Sequence, residues 1–417
     1  MPYMEQIKAG MSFLFKSQKP DGGIPIGCID DEESGVWTTS EVLDAVLSSE
    51  YAQMDISYLD NILKMVLFLC DRFIVSSKDG TMGYWEARIG EKPSAPTTGH
   101  AIYSLQIFMN KVLNDSGIES FKVSGREIVL EVLKREINNC ILKAIKWLQR
   151  NQQRDNGWGY SLKDKSSVLC TYYVLKGFNA VGKNSKNDRS TEKACLFVKE
   201  SIKRILGKKE PSRRDLSMVL YGYCCLFESS FFTRTDDDFK EQISKYINTN
   251  WKHLTGNTNI NSSNKKVKYV YNMPYIALNT VLTVEDYSFE PKIRRLISDY
   301  VNKMELDGSW RLEKNGKTET TWVTAEAIIV LNKAQENFAK YESSIIMPKR
   351  LKTLISITVM FAAVSAIVLL CYIISLAQIS NDVKSSITNI IFTTIGLLSS
   401  IITIATSIFA SIEVYKQ

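Results

Sequence analysis

Four residues stand at matching places in a repeated pattern: Glu41, His100, Tyr173 and Glu326, each two positions beyond a threonine (Thr39, Thr98, Thr171, Thr324) around which an apolar helical run begins. Two carboxyls, an imidazole and a phenol around one cavity could do acid–base or glycosidase-like work if correctly spaced. Glu41, Glu326 and His100 are the candidate acids. Trp37 and Trp322 precede two of those threonines, so the candidate ligand-binding set at a cavity mouth is Trp37, Glu41, His100, Tyr173, Trp322 and Glu326. A structural reading competes. Thr38 to Glu41 has the form Thr-x-x-Glu of a capping box, and Glu326 falls in a first helical turn, where the helix dipole favours an anion.

Other chemistries are poorly provided for. Two histidines, His100 and His253, leave few ways to build a zinc site or a Ser-His-Asp triad. No glycine-rich phosphate loop follows a strand-like run. The eight cysteines form no CxxC pair and suggest a reducing compartment. The expectation is no metal, no cofactor and no cleaved export signal.

The elements that must position these residues come from an internal repeat. The stretches 13–23 (FLFKSQKPDGG), 147–158 (WLQRNQQRDNGW) and 300–310 (YVNKMELDGSW) each end an amphipathic helix on an Asp turn, and 79–85 (DGTMGYW) is a weaker copy. A second helix follows around Thr39, Thr98, Thr171 and Thr324, with degenerate copies around Ser217 and Asn272, a spacing of roughly 57 residues. Six helical hairpins of that length can close into a ring of six inner and six outer helices. The predicted class is all-α, an (α/α)6 toroid over residues 1–345.

With Gln18-Asp21-Gly22 and Gln152-Asp155-Asn156-Gly157-Trp158 in place, the repeat resembles the QW repeat of squalene-hopene cyclases, and the inner-helix pattern resembles protein prenyltransferase β subunits. The resemblance implies the toroid fold but not the chemistry. No DxDD acid motif precedes an inner-helix threonine. Cys170 lies near the place of a prenyltransferase zinc ligand, but Val168 stands where the partner Asp belongs. The acidic clusters Asp30-Asp31-Glu32-Glu33 and Asp236-Asp237-Asp238 read as solvated loop charge.

The last 65 residues differ in kind. Of the 52 Lys+Arg and 45 Asp+Glu, only Asp382, Lys384, Glu413 and Lys416 lie beyond residue 352. Residues 346–417 are therefore predicted to form a two-helix transmembrane hairpin, with spans of about 353–377 and 386–412, each longer than the ~20 residues a bilayer requires. Lys349, Arg350 and Lys352 place the N-terminal domain and the C-terminus in the cytoplasm, with the protein multi-pass in the cell (inner) membrane. Thr393, Gly396, Ser400, Thr403, Ser407 and Ala410 share one face of the second span, suited to helix packing or to a pore face.

The partners expected from these features are a lipid bilayer, an apolar, isoprenoid or nucleotide ligand, and further copies of the chain through the hairpin, with no specific nucleic acid. Lys203, Arg204, Lys208, Lys209, Arg213 and Arg214 form a basic run that could face anionic lipid. The functional expectation is a membrane-anchored toroid without recognisable catalytic motifs that senses a ligand or partner and acts through its hairpin, a layout like that of bacterial antiviral-defence effectors. The alternative is a membrane-bound enzyme of terpene-cyclase or prenyltransferase type.

Overall fold

Four of the six repeats are built by one lock between a turn and the helix that follows it. In three copies an Asp carboxylate closes the turn: Asp21 accepts from the Gly23 amide at 3.0 Å, Asp155 from Gly157 at 3.2 Å and Asp307 from Ser309 at 2.9 Å. The residue after each Asp has positive φ (Gly22, Asn156, Gly308), which explains the Gly or Asn there. The chain then turns inward. The backbone amide of the residue entering the core donates to the anchor threonine: Ile24 to Thr39 at 2.9 Å, Trp85 to Thr98 at 3.1 Å, Trp158 to Thr171 at 3.1 Å and Trp310 to Thr324 at 2.9 Å. The three indoles are fully buried, and each N–H reaches back to a carbonyl near the end of the preceding helix: Trp85 to Leu69 at 2.7 Å, Trp158 to Leu148 at 2.9 Å and Trp310 to Tyr300 at 3.0 Å.

The structure, a computed structural model, describes residues 3–25, 33–49, 58–76, 80–113, 120–123, 125–255, 272–286, 289–311 and 321–339. The helices in chain order are α1 (Met4–Lys16), α2 (Val36–Ser48), α3 (Leu59–Asp71), α4 (Ala95–Phe108), α5 (Leu130–Arg150), α6 (Val168–Ala180), α7 (Arg189–Leu206), α8 (Arg213–Glu228), α9 (Asp237–Thr249), the short α10 (Trp251–Thr255), α11 (Met273–Thr283), α12 (Glu290–Val301) and α13 (321–339). Helices α1, α3, α5, α7, α9 and α12 are amphipathic; α5, for example, buries Leu133, Ile137, Cys140, Ile141, Ala144 and Leu148 at helical steps, while Glu131, Arg135, Glu136, Asn138 and Asn139 are exposed on its other face. Helices α2, α4, α6, α8, α11 and α13 are buried nearly all round, as in α11, where every residue from Met273 to Leu282 is buried. They are the inner ring, and all six repeat anchors lie in them or at their N-cap. Three short antiparallel pairs, Ile24–Pro25 with Ser34–Gly35, Ile74–Val75 with Gly83–Tyr84, and Ser120–Val123 with Arg126–Val129, lie in the connections.

Neighbouring inner helices pack in sequence order, and α13 closes the circle. On one side Asn332 donates to Ser48 of α2 at 3.1 Å; on the other Lys333 donates to Asn279 of α11 at 2.8 Å. Helices α4 and α6 approach backbone to backbone. A Cβ on Gly99 would meet the Tyr173 carbonyl oxygen at 2.4 Å, and one on Gly177 would meet the Gly99 carbonyl oxygen at 2.4 Å.

The chain divides into two compact units, Met1–Ala339 and Lys340–Gln417, and all described residues belong to the first. The expected hairpin, with Thr393, Gly396, Ser400, Thr403, Ser407 and Ala410, lies outside the described residues. So do Asp30, Asp31 and Glu32 of the acidic cluster, whereas Glu33 is described and exposed. Among the described residues no helix is long and apolar enough to cross a membrane.

The lock and the glycine contact are separately testable by chemical denaturation of the purified protein. Thr171→Val leaves the buried Trp158 amide without its acceptor and should lower stability by about 1–3 kcal/mol. Gly177→Ala forces α4 and α6 apart and should cost at least as much, about 1–3 kcal/mol or more. Gly207→Ala is the control, because a Cβ there comes no closer than 3.8 Å to its neighbours and φ is -77; it should change stability by less than about 0.5 kcal/mol.

Candidate functional site

Inner-helix geometry gathers the predicted residues. Glu41 and Asp44 on α2, His100 and Tyr103 on α4, and Tyr173 and Lys176 on α6 are three i, i+3 pairs, so each helix presents two side chains one turn apart on one face. His100 is fully buried between the first two carboxyls: its Nδ1 lies 3.8 Å from Glu41 Oε2 and its Nε2 3.8 Å from Asp44 Oδ2. At that separation neither contact is a hydrogen bond, and both ring nitrogens lack a partner. Trp37 and Tyr173 wall the imidazole, with ring centroids 5.3 and 5.1 Å from it and 4.6 Å from each other. One turn deeper, Lys176 Nζ donates to Asp44 Oδ2 at 2.6 Å and lies 4.0 Å from the centre of the Tyr103 ring.

The second carboxyl, Glu326, is on α13, the inner helix that closes the circle beside α2. Asn272 Nδ2 donates to Glu326 Oε2 at 2.7 Å and to Tyr300 Oη at 2.9 Å. Tyr221 on α8 and Tyr275 on α11 continue the ring from α6, with the Tyr173 and Tyr221 rings 6.2 Å apart. Trp322 is half-buried against the core and is not among the residues these contacts join.

The electrostatics follow from burial. Desolvation pushes Glu41 up to about 8, with Lys176 partly opposing and Asp44 adding to the rise. Desolvation, and then the Glu41 charge, carry Glu326 well above the usual carboxyl range against the Asn272 hydrogen bond. Burial lowers His100 to about 4, so the imidazole is neutral near pH 7. Asp44 moves the other way: burial would raise it, but Lys176 and then His100 hold it well below the ordinary carboxylate value. Lys176 stays protonated because the Asp44 carboxylate outweighs its own desolvation. The site therefore holds one compensated ion pair, two neutral carboxyls that can donate a hydrogen bond or a proton, and one neutral imidazole.

Two expectations change. The N-cap of α2 is Gly35 and makes no side-chain cap bond; Thr38 Oγ1 instead donates to the Ile24 carbonyl at 3.0 Å. Glu41 therefore lies in the second turn, facing the ring interior, and is not half of a capping box. The basic run is also less bare than its sequence: Lys203 pairs with Glu200 at 2.9 Å, Lys208 with Asp215 at 2.6 Å, and Arg204 donates to Ser201 at 3.0 Å. Asp236, read as solvated loop charge, is buried and pairs with Lys199 at 2.6 Å. Cys170 is buried, with burial raising its thiol to about 11, and no group of three or more metal-ligating side chains gathers among the described residues. The residues that sequence reasoning missed are Asp44, Lys176, Tyr103, Tyr221 and Tyr300. The first three sit one turn beyond predicted positions, so the i+3 step was the available signal.

These shifts give a pH signature. A carboxyl raised from 4.5 to about 8 contributes stability that is full below 4.5 and lost as pH rises through about 8. An imidazole lowered from 6.5 to about 4 contributes stability gained between those values. Between pH 4.5 and 6.5 the imidazole offsets one of the two raised carboxyls. Above that, the carboxyls alone remain, and the ligand-free protein should lose about 1.4 kcal/mol per pH unit for each of them. Thermal melts from pH 6.5 to 8 should show the fall, reduced in Glu41→Gln; a flat wild-type profile would contradict the assignment.

No protein-family model matches the chain. Solved structures share its fold. A GH76 α-mannanase from Bacteroides thetaiotaomicron superposes with a TM-score of 0.56 at 10% identity, covering 82% of this chain and 97% of the mannanase. The type II terpene cyclase MstE from Scytonema, in complex with geranylgeranyl dihydroxybenzoate, superposes with a TM-score of 0.51 at 13% identity, covering 80% and 97%. A D-mannose isomerase gives 0.52 at 12% identity, covering 80% and 97%. At these identities the likeness concerns the fold, and the chain is an α/α toroid of the kind shared by terpene cyclases and glycosidases.

Proposed function

We propose that the ring interior is a small-molecule binding site centred on His100, Glu41 and Glu326, and that its occupancy is passed to the C-terminal segment. The carrying observation is His100, fully buried with neither nitrogen bonded. Leaving such a group unsatisfied costs about 1–3 kcal/mol, a cost that a bound ligand would remove. The membrane end of this reading rests on the sequence: the uncharged runs of 353–377 and 386–412 support a hairpin that anchors the chain or assembles with other copies, as a defence effector would require. The interior also bears on the ligand. Among the described residues its nearest lysine, Lys176 one turn deeper, is already paired with Asp44, so these residues would offer a phosphate carboxyls and phenols and no free cation. That counts against a nucleotide and for a ligand with an apolar body.

A second reading is favoured by Glu41 alone. A carboxyl raised to about 8 beside Trp37 and Tyr173 keeps its proton at neutral pH, the state a Brønsted acid for an isoprenoid double bond requires.

Both are tested on the full chain purified in detergent. Mass spectrometry of the denatured protein should release a small molecule from the wild type and not from His100→Phe, with the variant's melting temperature confirming that it folds. Equal recovery from both, or none from either, would remove the binding site. If polyprenyl substrates are turned over by the wild type and not by Glu41→Gln, the second reading replaces the first.

A further inference from the structure

All six inner helices contribute to one level of the ring interior: Glu41 from α2, His100 from α4, Tyr173 from α6, Tyr221 from α8, Tyr275 from α11 and Glu326 from α13. Distances trace the circle from α2 to α8, and charge influence relates Tyr275 and Glu326 to it. Glu41 lies 3.8 Å from His100, whose ring centre is 5.1 Å from Tyr173, itself 6.2 Å from Tyr221. Tyr275 feels the charges of both Glu41 and Glu326, and Glu326 that of Glu41. Five of the six keep between 3% and 6% of their surface exposed, as groups facing an interior space do, whereas His100 keeps none.

The charge at this level is one-sided. Its nearest cation among the described residues, Lys176, is taken by Asp44 at 2.6 Å. Lys333, seven residues beyond Glu326 on α13, is about two helical turns away and donates to Asn279 and Thr283. What faces the interior among the described residues is therefore two carboxyls and the π faces of tyrosines with Trp37 beside them, and behind Glu41 lies an imidazole whose nitrogens have no hydrogen-bond partner. Carboxylates supply counter-charge, aromatic faces attract cations, and a neutral imidazole accepts from N–H.

We propose that this level binds an alkylammonium ion, its N–H groups shared between Glu41, which stands in front of the unpartnered His100, and Glu326, and its alkyl body against Tyr173, Tyr221, Tyr275 and Trp37. The proposal rests on the interior-site reading above and adds the chemical class of the ligand. It carries a proton balance: the cation stays charged, and the carboxyl that pairs with it gives its proton to solvent. The groups that set this balance are Asp44 on α2, His100 on α4, Tyr173 and Lys176 on α6, Tyr275 on α11 and Glu326 on α13, together facing Glu41. Below neutral pH the carboxyls hold their protons and binding should weaken.

Three probes with one body and different charge test the class on the full chain in detergent by calorimetry: cyclohexylammonium, cyclohexanol and cyclohexanecarboxylate. The cation should bind at least about tenfold more tightly than the alcohol, with the carboxylate weaker still. That preference should vanish in Glu41→Gln or Glu326→Gln. In two buffers of different ionisation enthalpy at pH 7, wild-type binding should release protons, a reading that needs no variant. Equal affinity for ammonium and alcohol would overturn the cation assignment and leave the interior site standing. Tightest binding of the carboxylate would overturn it as well. No heat and no melting shift with any probe up to about 10 mM would overturn the assignment, and recovery of a co-purified molecule would still decide the interior site separately.

Discussion

The structure depends on one small interaction repeated around the ring: a threonine hydroxyl near the start of an inner helix holds the backbone amide of the residue that enters the core from the preceding turn. In two copies the same hydroxyl also donates to the carbonyl four residues back, Thr39 to Gly35 and Thr98 to Ser94, both at 2.7 Å. A single oxygen thus ties together a turn, a buried residue and the first turn of a helix. The indole N–H then fixes the end of the outer helix. Without this lock the inner helices, apolar nearly all round, would have no defined rotation about their axes. With it, the side chain two residues past each threonine faces the same interior.

That fixed rotation explains why a polar group can sit in so apolar a ring. Asp44 and Lys176 are worth keeping buried only as a pair, because either alone would be a desolvated charge. Their contact spans α2 and α6 with α4 between them, and Tyr103 of α4 covers the ammonium. The backbone contact at Gly99 and Gly177 permits that span by bringing α4 and α6 close together. His100 differs. It lies between two carboxyls without bonding to either, and the same rigid scaffold keeps it from relaxing toward them.

The shared toroid with a mannanase, a terpene cyclase and an isomerase shows how little the architecture restricts chemistry. The walls of the ring are set by the lock and by helix packing, and what the interior does is decided by a handful of side chains at one level. Among the described residues those are two neutral carboxyls, three phenols and an imidazole, with no unpaired positive charge beside them. That combination, more than the ring that holds it, carries the functional reading.

The sequence alone determined the repeat, because Asp-Gly and Asp-Asn turns, buried Trp and the anchor Thr are local requirements that leave local signatures. It placed Glu41, His100, Tyr173 and Glu326 at equivalent positions, and the weak copies at Ser217 and Asn272 marked true inner helices. It could not separate a capping Glu from an interior one, since Thr38-x-x-Glu41 satisfies both patterns and only the position of Gly35 as N-cap decides. Nor could it pair Asp44 with Lys176, 132 residues away, or Asn272 with Glu326, 54 residues away. Such contacts depend on which helix faces which across a closed ring, and ring closure is a property of the whole packing rather than of any window of sequence.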